Sequence, residues 1–359
     1  MSNKDKKVAV GLSGGVDSAV AAHILMEKGF DVCGVTMSIW DNGIEIDNPD
    51  KKGCYGPGKE KDVEDAKKVA DFFNIPFKVI DLRKEFREHI VGYFKNEYLS
   101  GKTPNPCIVC NRMLKFGIFL EKIISQGFDF NYFATGHYAR IAETNGQFFL
   151  KKAVDESKDQ TYFLQAVKKE SLSSILFPLG TLLKLQVREI AKQINLSVAE
   201  RPESQDFVSG GDYSPLFAED KVEVGDIVDE KGKVLGRHKG IIHYTVGQRK
   251  GLGISSEKPL YVLKLDSKKN RVVVTSKEQL FSTVLTASSF NWLVDIKEFN
   301  EFRAFAKIRQ KHREAPATVY LIGEKKVKVV FDEPQLSITP GQAVALYDGE
   351  TLLGGGTID

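Results

Sequence analysis

Ser13-Gly14-Gly15-Val16-Asp17-Ser18 places two hydroxyls, two glycines and a carboxylate within six positions. The segment closes an apolar run, Val8 to Leu12, and opens a helical pattern from Val16 to Glu27. A loop between a buried strand and a helix offers backbone N–H groups at a helix N-terminus, where amide donors and the helix dipole stabilise a phosphate. The glycines let the backbone approach closely, and Ser13 and Ser18 add hydroxyl donors. Asp17, one turn into the helix, can hold a magnesium ion against the phosphates. No lysine follows the second glycine, so the loop is not the GxxxxGK[ST] loop of ordinary NTPases.

A second cluster is Gly101-Lys-Thr-Pro-Asn-Pro-Cys107-Ile-Val-Cys110-Asn-Arg112, with a helix expected to begin near Leu114. Its prolines stiffen the approach to the thiols. A cysteine just ahead of a helix and beside Arg112 is expected to have a lowered pKa, and so more thiolate at neutral pH. The pair can serve as nucleophile, redox couple or metal ligands, and its spacing does not choose among these. Zinc fits less well, because no second CxxC or close histidine pair completes four ligands.

These groups need a scaffold to position them. Up to about residue 200 short apolar strands alternate with amphipathic helices: strands at Val32–Met37, Phe77–Asp81 and Phe130–Thr135, helices at Asp62–Phe73 and Glu85–Leu99. That alternation predicts an α/β fold with a parallel sheet covered by helices on both faces, and ligands at the carboxyl ends of the strands. Ser13, Met37 and Gly136 fall at such ends. Asp41 to Lys61 reads as a long polar loop carrying Cys54. Beyond about residue 208, short strands punctuated by glycine take over, from Gly225–Val228 to Lys326–Phe331. The predicted division is residues 1–207 for the catalytic domain, 208–280 for a small β-rich domain and 281–359 for a β-barrel.

The chain has 359 residues and a net charge of +3, which permits nucleic-acid binding without arguing for it. Four cysteines do not make a disulfide scaffold in a chain of this length. With no secretory signal and no apolar stretch of bilayer length, a cytoplasmic protein without a membrane partner is expected.

The loop resembles the SGGxDS signature of the PP-loop ATP pyrophosphatases, which cleave ATP to AMP and pyrophosphate. Together with Thr103-Pro-Asn-Pro-Cys-Ile-Val-Cys-Asn-Arg112, Ala134-Thr-Gly-His-Tyr-Ala139, Lys158-Asp-Gln-Thr-Tyr-Phe163, Phe177-Pro-Leu-Gly180, Val187-Arg-Glu-Ile-Ala191 and Gly247-Gln-Arg-Lys-Gly-Leu-Gly253, the chain resembles the tRNA-specific 2-thiouridylases over nearly its whole length. The resemblance implies a PP-loop domain, a small central domain and a C-terminal barrel that helps hold tRNA. It implies ATP and Mg²⁺ as cofactors and an activity that replaces the C2 oxygen of the wobble uridine with sulfur. Implied substrates are the anticodon stem-loops of Glu-, Gln- and Lys-type tRNAs, with a cysteine desulfurase relay or free sulfide as sulfur donor. Position by position, it implies nucleotide binding at Gly11, Leu12, Ser13, Gly14, Gly15, Val16, Asp17, Ser18, Met37 and Gly136. The acting thiol matches Cys110. Implied tRNA contacts are Asn105, Pro106, Cys107, His137, Lys158, Asp159, Gln160, Lys307, Ile308 and Gln342. Two other readings keep parts of this pattern: a PP-loop synthetase acting on another acceptor, and a non-catalytic tRNA-binding paralogue.

One departure bears on the chemistry. Many members of the resembled family carry a second catalytic cysteine after a Glu-Ser-Gln-Asp-like segment. This chain reads Glu203-Ser-Gln-Asp-Phe-Val208, with Val208 at the expected position. Two substitutes are open: Cys54, Cys107 and Cys110 could hold a [4Fe–4S] cluster with one iron free to bind sulfide, or Cys54 could supply the second thiol for a persulfide with Cys110. Cys33, inside a predicted strand, reads as a core residue.

Overall fold

A computed structural model of the chain describes residues 3–41, 43–44, 53–196, 198, 206–296 and 300–359. The chain divides into a first unit, Met1–His89, Cys107–Asp212 and Glu350–Leu352, and a second, Ile90–Pro106, Tyr213–Gly349 and Leu353–Asp359.

In chain order the first unit begins with β1 (Lys7–Gly11), α1 (Val16–Glu27), β2 (Asp31–Ser38), β3 (Gly53–Tyr55), α2 (Lys59–Phe72), β4 (Phe77–Asp81) and α3 (Arg83–Phe86). The helical run continues through a wide π-type turn, Arg87–Val91, into α4 (Gly92–Leu99), which packs in the second unit. Next come α5 (Pro106–Val109), a wide π-type stretch Cys110–Ile118, α6 (Phe119–Ser125), β5 (Tyr132–Thr135), β6 (Arg140–Thr144), β7 (Gln147–Lys151), α7 (Thr161–Leu164), β8 (Ile175–Leu176), α8 (Lys184–Gln193) and β9 (Asp206–Val208).

The central sheet runs β4-β2-β1-β5-β8, every pair parallel. Val8, Ala9 and Val10 of β1 are fully buried, as an apolar strand covered on both faces should be. Val16, Ala19 and Val20 of α1 pack on this sheet and on Val187 and Ala191 of α8, forming the core that fixes the start of α1. The expected α/β architecture is therefore present, with Gly11, Ser38 and Thr135 at the carboxyl edge of adjacent strands.

The β6–β7 hairpin was not anticipated. Its turn is Asn145-Gly146, both with positive φ (51° and 76°), the pair that a two-residue hairpin turn demands.

In the second unit β10 (Gly225–Val228), β11 (Val234–His238), β12 (Tyr261–Asp266) and β13 (Arg271–Thr275) form a sheet ordered β11-β10-β13-β12 around Ile227, Val262 and Val272. Phe94 and Tyr98 of α4 pack on Tyr213 and Phe217. Then β14 (Phe281–Trp292), β15 (Glu301–Lys307), β16 (Ala315–Gly323), β17 (Lys326–Leu336), β18 (Ala343–Asp348) and β19 (Thr351–Ile358) run in the order β14-β17-β16-β15-β18-β19. A further β14–β19 pairing closes them into a six-stranded barrel, filled by Ala304, Ala306, Val329 and Leu346. Closure removes both sheet edges. Among the described residues no helix is long and apolar enough to cross a membrane.

Candidate active site

After Gly11 the Leu12 N–H donates to Val35 O at 2.8 Å, holding the chain on the sheet as it turns. Gly14 has φ of 70°, a conformation suited to glycine. The Ser18 hydroxyl accepts from the Ser13 N–H (3.1 Å) and donates to Gly15 O (3.1 Å), bracing the loop from inside. Ser13 remains exposed. Gly15 caps α1 without any side-chain hydrogen bond, so backbone amides rather than a side chain present the helix N-terminus.

From β5 the chain passes straight onto this helix start. A Cβ on Gly136 would lie 2.7 Å from Asp17 C and 2.7 Å from Ser18 N, both backbone atoms. Gly136→Ala should therefore push the loop off α1 and weaken ATP binding about 10-fold or more, read by calorimetry, since overpacking against backbone typically costs about 1–3 kcal/mol. Unchanged affinity would mean that the nucleotide does not use this loop.

Asp17 is already engaged. Its Oδ1 and Oδ2 accept from Lys184 Nζ at 2.6 and 2.8 Å, and Oδ1 also accepts from the Tyr138 hydroxyl at 2.9 Å. Lys184 is buried, and its ammonium sits 5.6 Å from the centroid of the Tyr138 ring. Tyr138 is itself clamped: its N–H donates to Gln160 Oε1 and its carbonyl accepts the Gln160 N–H, both at 2.9 Å. Sequence reasoning missed Lys184 and Tyr138. Lys184 stands three residues before the Val187-Arg-Glu-Ile-Ala motif, and only the α1–α8 packing reveals its target.

The cysteine helix begins earlier than expected. Pro106, not Leu114, opens it, using a position where proline's missing N–H costs nothing. Cys107 and Cys110 thus sit within continuous helix, which widens at Cys110–Ile118 and breaks at Phe116 and Gly117. Such π-type stretches frequently occur at functional sites. Asn111 Nδ2 ties the helix to Phe163 O at 3.0 Å. The Phe116 ring lies 6.2 Å from the His137 ring, which Thr135 Oγ1 holds at Nδ1 (2.7 Å). Burial, then the charge of Lys115, pushes the His137 pKa well down, so the ring is neutral. Phosphate loop, Gly136, His137 and cysteine helix thus form a chain of neighbours within one unit.

The thiol acidity runs opposite to expectation. Desolvation pushes Cys110 up to about 11, and Lys115, not Arg112, is the charge pulling it down. Cys107 is pushed up to about 12, chiefly by burial and then by Cys54, with Lys115 again opposing. Arg112 is exposed, and enclosure by protein outweighs the helix start. The rate of Cys110 alkylation by iodoacetamide, followed by peptide mass analysis, should rise about tenfold per pH unit from pH 7 to 10 and bend only near 11. Lys115→Gln should slow it at every pH below the bend. A plateau below pH 8 would show a thiol already activated at rest.

The second-cysteine position also has a definite place. β3 pairs in parallel with β9, with Gly53 opposite Asp206 and Tyr55 opposite Val208. Val208 is 3% exposed and faces inward, whereas Cys54, one residue before Tyr55, is exposed. The Ser209 N–H donates to Tyr55 O at 2.9 Å, locking the pair. Glu203, Ser204 and Gln205, like most of the Asp41–Lys61 loop ahead of Gly53, lie outside the described residues. The expected cluster site is not supported: among the described residues no three His, Cys, Asp or Glu side chains form a metal-holding group, and Cys54, Cys107 and Cys110 are all described. Cys33 is buried as expected, its Sγ 3.5 Å from Val8 O.

Several residues that the resemblance matched to tRNA contacts have definite places in the fold. Asp159 is 6% exposed, its carboxylate accepting from the Ala153 N–H (3.0 Å) and the Thr161 hydroxyl (2.6 Å). Ile308 lies in the barrel core at 1% exposure, because alternation along the strand turns Ala304, Ala306 and Ile308 inward and Lys307 outward. In the second unit Gln342 Nε2 donates to Thr103 O (3.0 Å) and Pro104 O (3.2 Å), bracing the strap that leads to Asn105 and Pro106. Lys158 is partly exposed and Met37 partly buried at the end of β2.

Comparison with known proteins is consistent with this geometry. The tRNA-specific 2-thiouridylase MnmA of Acetivibrio thermocellus is 46% identical over 360 residues, covering 98% of this chain and 99% of that protein. That of Carboxydothermus hydrogenoformans is 47% identical over 363 residues, covering 99% and 98%. The chain belongs to the tRNA-specific 2-thiouridylase family. Three domain models span it: a tRNA methyl transferase HUP domain at residues 6–209, a tRNA methyl transferase PRC-barrel domain at 218–276 and an aminomethyltransferase beta-barrel domain at 282–358. A crystal structure of a 4-thiouridine synthetase–RNA complex with bound ATP matches 56% of this chain and 44% of that one, with a TM-score of 0.37 at 18% identity, a likeness too slight to build on.

Proposed function

We propose that this protein uses ATP to replace the C2 oxygen of the anticodon wobble uridine of tRNA with sulfur. The observation that carries the reading is the placement of a phosphate-type loop and a thiol pair in one unit, linked through Gly136, His137 and Phe116. Whole-chain identity to 2-thiouridylases supports it. Two of the domain descriptions name methyl transfer, which has no need of a loop built for triphosphate or of two thiols on a helix of the same unit.

The C2 oxygen is a poor leaving group, so it first attacks the α-phosphorus of ATP and expels pyrophosphate. Amides at the start of α1 stabilise the charge that develops. A sulfur nucleophile then attacks C2, the C2–O bond breaks, and AMP leaves with the oxygen. The base must leave the anticodon stack to reach the pocket. Magnesium usually takes one or two carboxylates together with phosphate oxygens; Asp17 is the carboxylate that would hold it here, and the ion would supply charge for pyrophosphate departure.

Cys110 is the sulfur-bearing thiol in this reading, receiving sulfane sulfur from a donor persulfide relayed from a cysteine desulfurase. Cys54 supplies the second thiol: it attacks Cys110 Sγ, the S–S bond to the transferred sulfur breaks, the thiocarbonyl stays on the base, and a thiol reductant resets the Cys54–Cys110 disulfide. The substrates are tRNAs of the Glu, Gln and Lys type. Nucleoside mass analysis of these tRNAs after incubation with ATP, magnesium and a persulfide donor, with and without iron reconstitution, tests this. Formation of 2-thiouridine without iron is expected. A product seen only after iron loading would overturn the thiol route, and no thiolated nucleoside under any condition would overturn the function.

A further inference from the structure

The phosphate loop carries no lysine of its own, yet a triphosphate brings several negative charges. The structure delivers a cation from elsewhere. Lys184, the first residue of α8, lies 167 positions after Asp17 and reaches the first turn of α1, where its ammonium contacts both Asp17 oxygens. It is held there from three sides. Asp155 Oδ2 accepts its backbone N–H at 2.9 Å, the Tyr138 ring lies beneath its ammonium, and Tyr138 donates to the same Asp17 oxygen. Gly136, two residues before Tyr138, packs against the backbone of Asp17 and Ser18.

We propose that Lys184 is the cation of the phosphate loop: paired with Asp17, it turns to the β- and γ-phosphates when nucleotide binds and stays with the departing pyrophosphate. The proposal rests on the reading of this loop as an ATP site. A carboxylate saturated by an ammonium and a hydroxyl is not open to a metal, whereas a Lys184 shifted toward phosphate frees Asp17 for one. Parking also keeps an ammonium that is almost fully buried from standing alone, which would be costly. A single ammonium thus serves two partners in turn, and both lie at the same helix end.

The test is equilibrium binding of ATP, pyrophosphate and AMP to the full chain by calorimetry, for wild type, Lys184→Gln and Lys184→Arg. Losing one charge-assisted contact to phosphate should weaken ATP and pyrophosphate about 10- to 100-fold, with AMP held within about two-fold and Lys184→Arg recovering most of the loss. An ion pair that only stabilises the fold would lower melting and shift all three ligands alike. Should Lys184→Gln fold poorly, the neutral pair Asp17→Asn/Lys184→Gln leaves no charge buried alone. Compared with wild type in magnesium-free buffer, it should lose pyrophosphate affinity to the same extent. ATP affinity in Lys184→Gln within two-fold of wild type overturns the proposal. Failure of wild type to bind ATP at all overturns the nucleotide reading instead.

Discussion

Replacing Cys110 by alanine should abolish 2-thiouridine formation, lowering it by at least about 10³-fold, while ATP affinity stays within two-fold. In the proposed route Cys110 carries the transferred sulfur, so its removal leaves only positioning and charge stabilisation, and in enzymes with a covalent nucleophile such deletions cost several powers of ten. The change is small for the fold. Cys110 sits where the helix widens and is partly exposed, and the neighbouring anchor, Asn111 to Phe163 O, does not involve it. Cys107→Ala should cost far less. If Cys110→Ala kept more than a tenth of the activity and Cys107→Ala were dead, the acting thiol would be Cys107, and the two cysteines would exchange roles.

Asp17→Asn should be nearly as severe, by a different route. It strips the carboxylate that parks Lys184 and would meet the metal, so AMP formation from ATP and tRNA should fall about 10²- to 10³-fold, the usual scale for one preorganised electrostatic contact. Stability should fall as well. The variant leaves the Lys184 ammonium almost fully buried against a neutral amide, and breaking a buried pair from one side costs on the order of 3 kcal/mol. Asp17→Asn/Lys184→Gln should regain most of the melting temperature but not the activity. Melting followed by circular dichroism separates the two effects; an Asp17→Asn protein that melts like wild type and still releases AMP at a normal rate would remove Asp17 from both roles.

What the sequence revealed was the local and periodic. The phosphate loop could be read because its glycines, hydroxyls and flanking strand and helix are consecutive, and the parallel sheet because buried strands such as Val8–Val10 are apolar throughout. What it hid depended on contacts between distant residues. Lys184 lies far from Asp17 in the chain, and nothing in its own neighbourhood marks it as a partner. The Cys110 thiol was expected to be acidic from the helix start and Arg112, both local, but the decisive cause is enclosure by protein packed around it. Ile308 and Asp159 matched tRNA contacts by position, and only the fold shows Ile308 buried in the barrel core and Asp159 bonded to the Ala153 and Thr161 donors. The Asn145-Gly146 turn was a readable hairpin signal that went unused.

The substitution at position 208 shows the same thing. From sequence, Val208 is a missing thiol; in the fold it is a buried strand residue directly beside the strand that carries the exposed Cys54. Position 208, where the resemblance led one to expect a second cysteine, and Cys54, the thiol proposed in its place, are therefore on adjacent strands.

The fate of a single oxygen atom tests the adenylation chemistry most directly. A tRNA carrying ¹⁸O at C2 of the wobble uridine, incubated with ATP, magnesium and a sulfur donor, should yield 2-thiouridine and AMP bearing the ¹⁸O, seen by mass spectrometry. Thiolated base accompanied by unlabelled AMP would mean that the oxygen never passed to the α-phosphorus, and that the loop at Ser13–Ser18 does not activate the base.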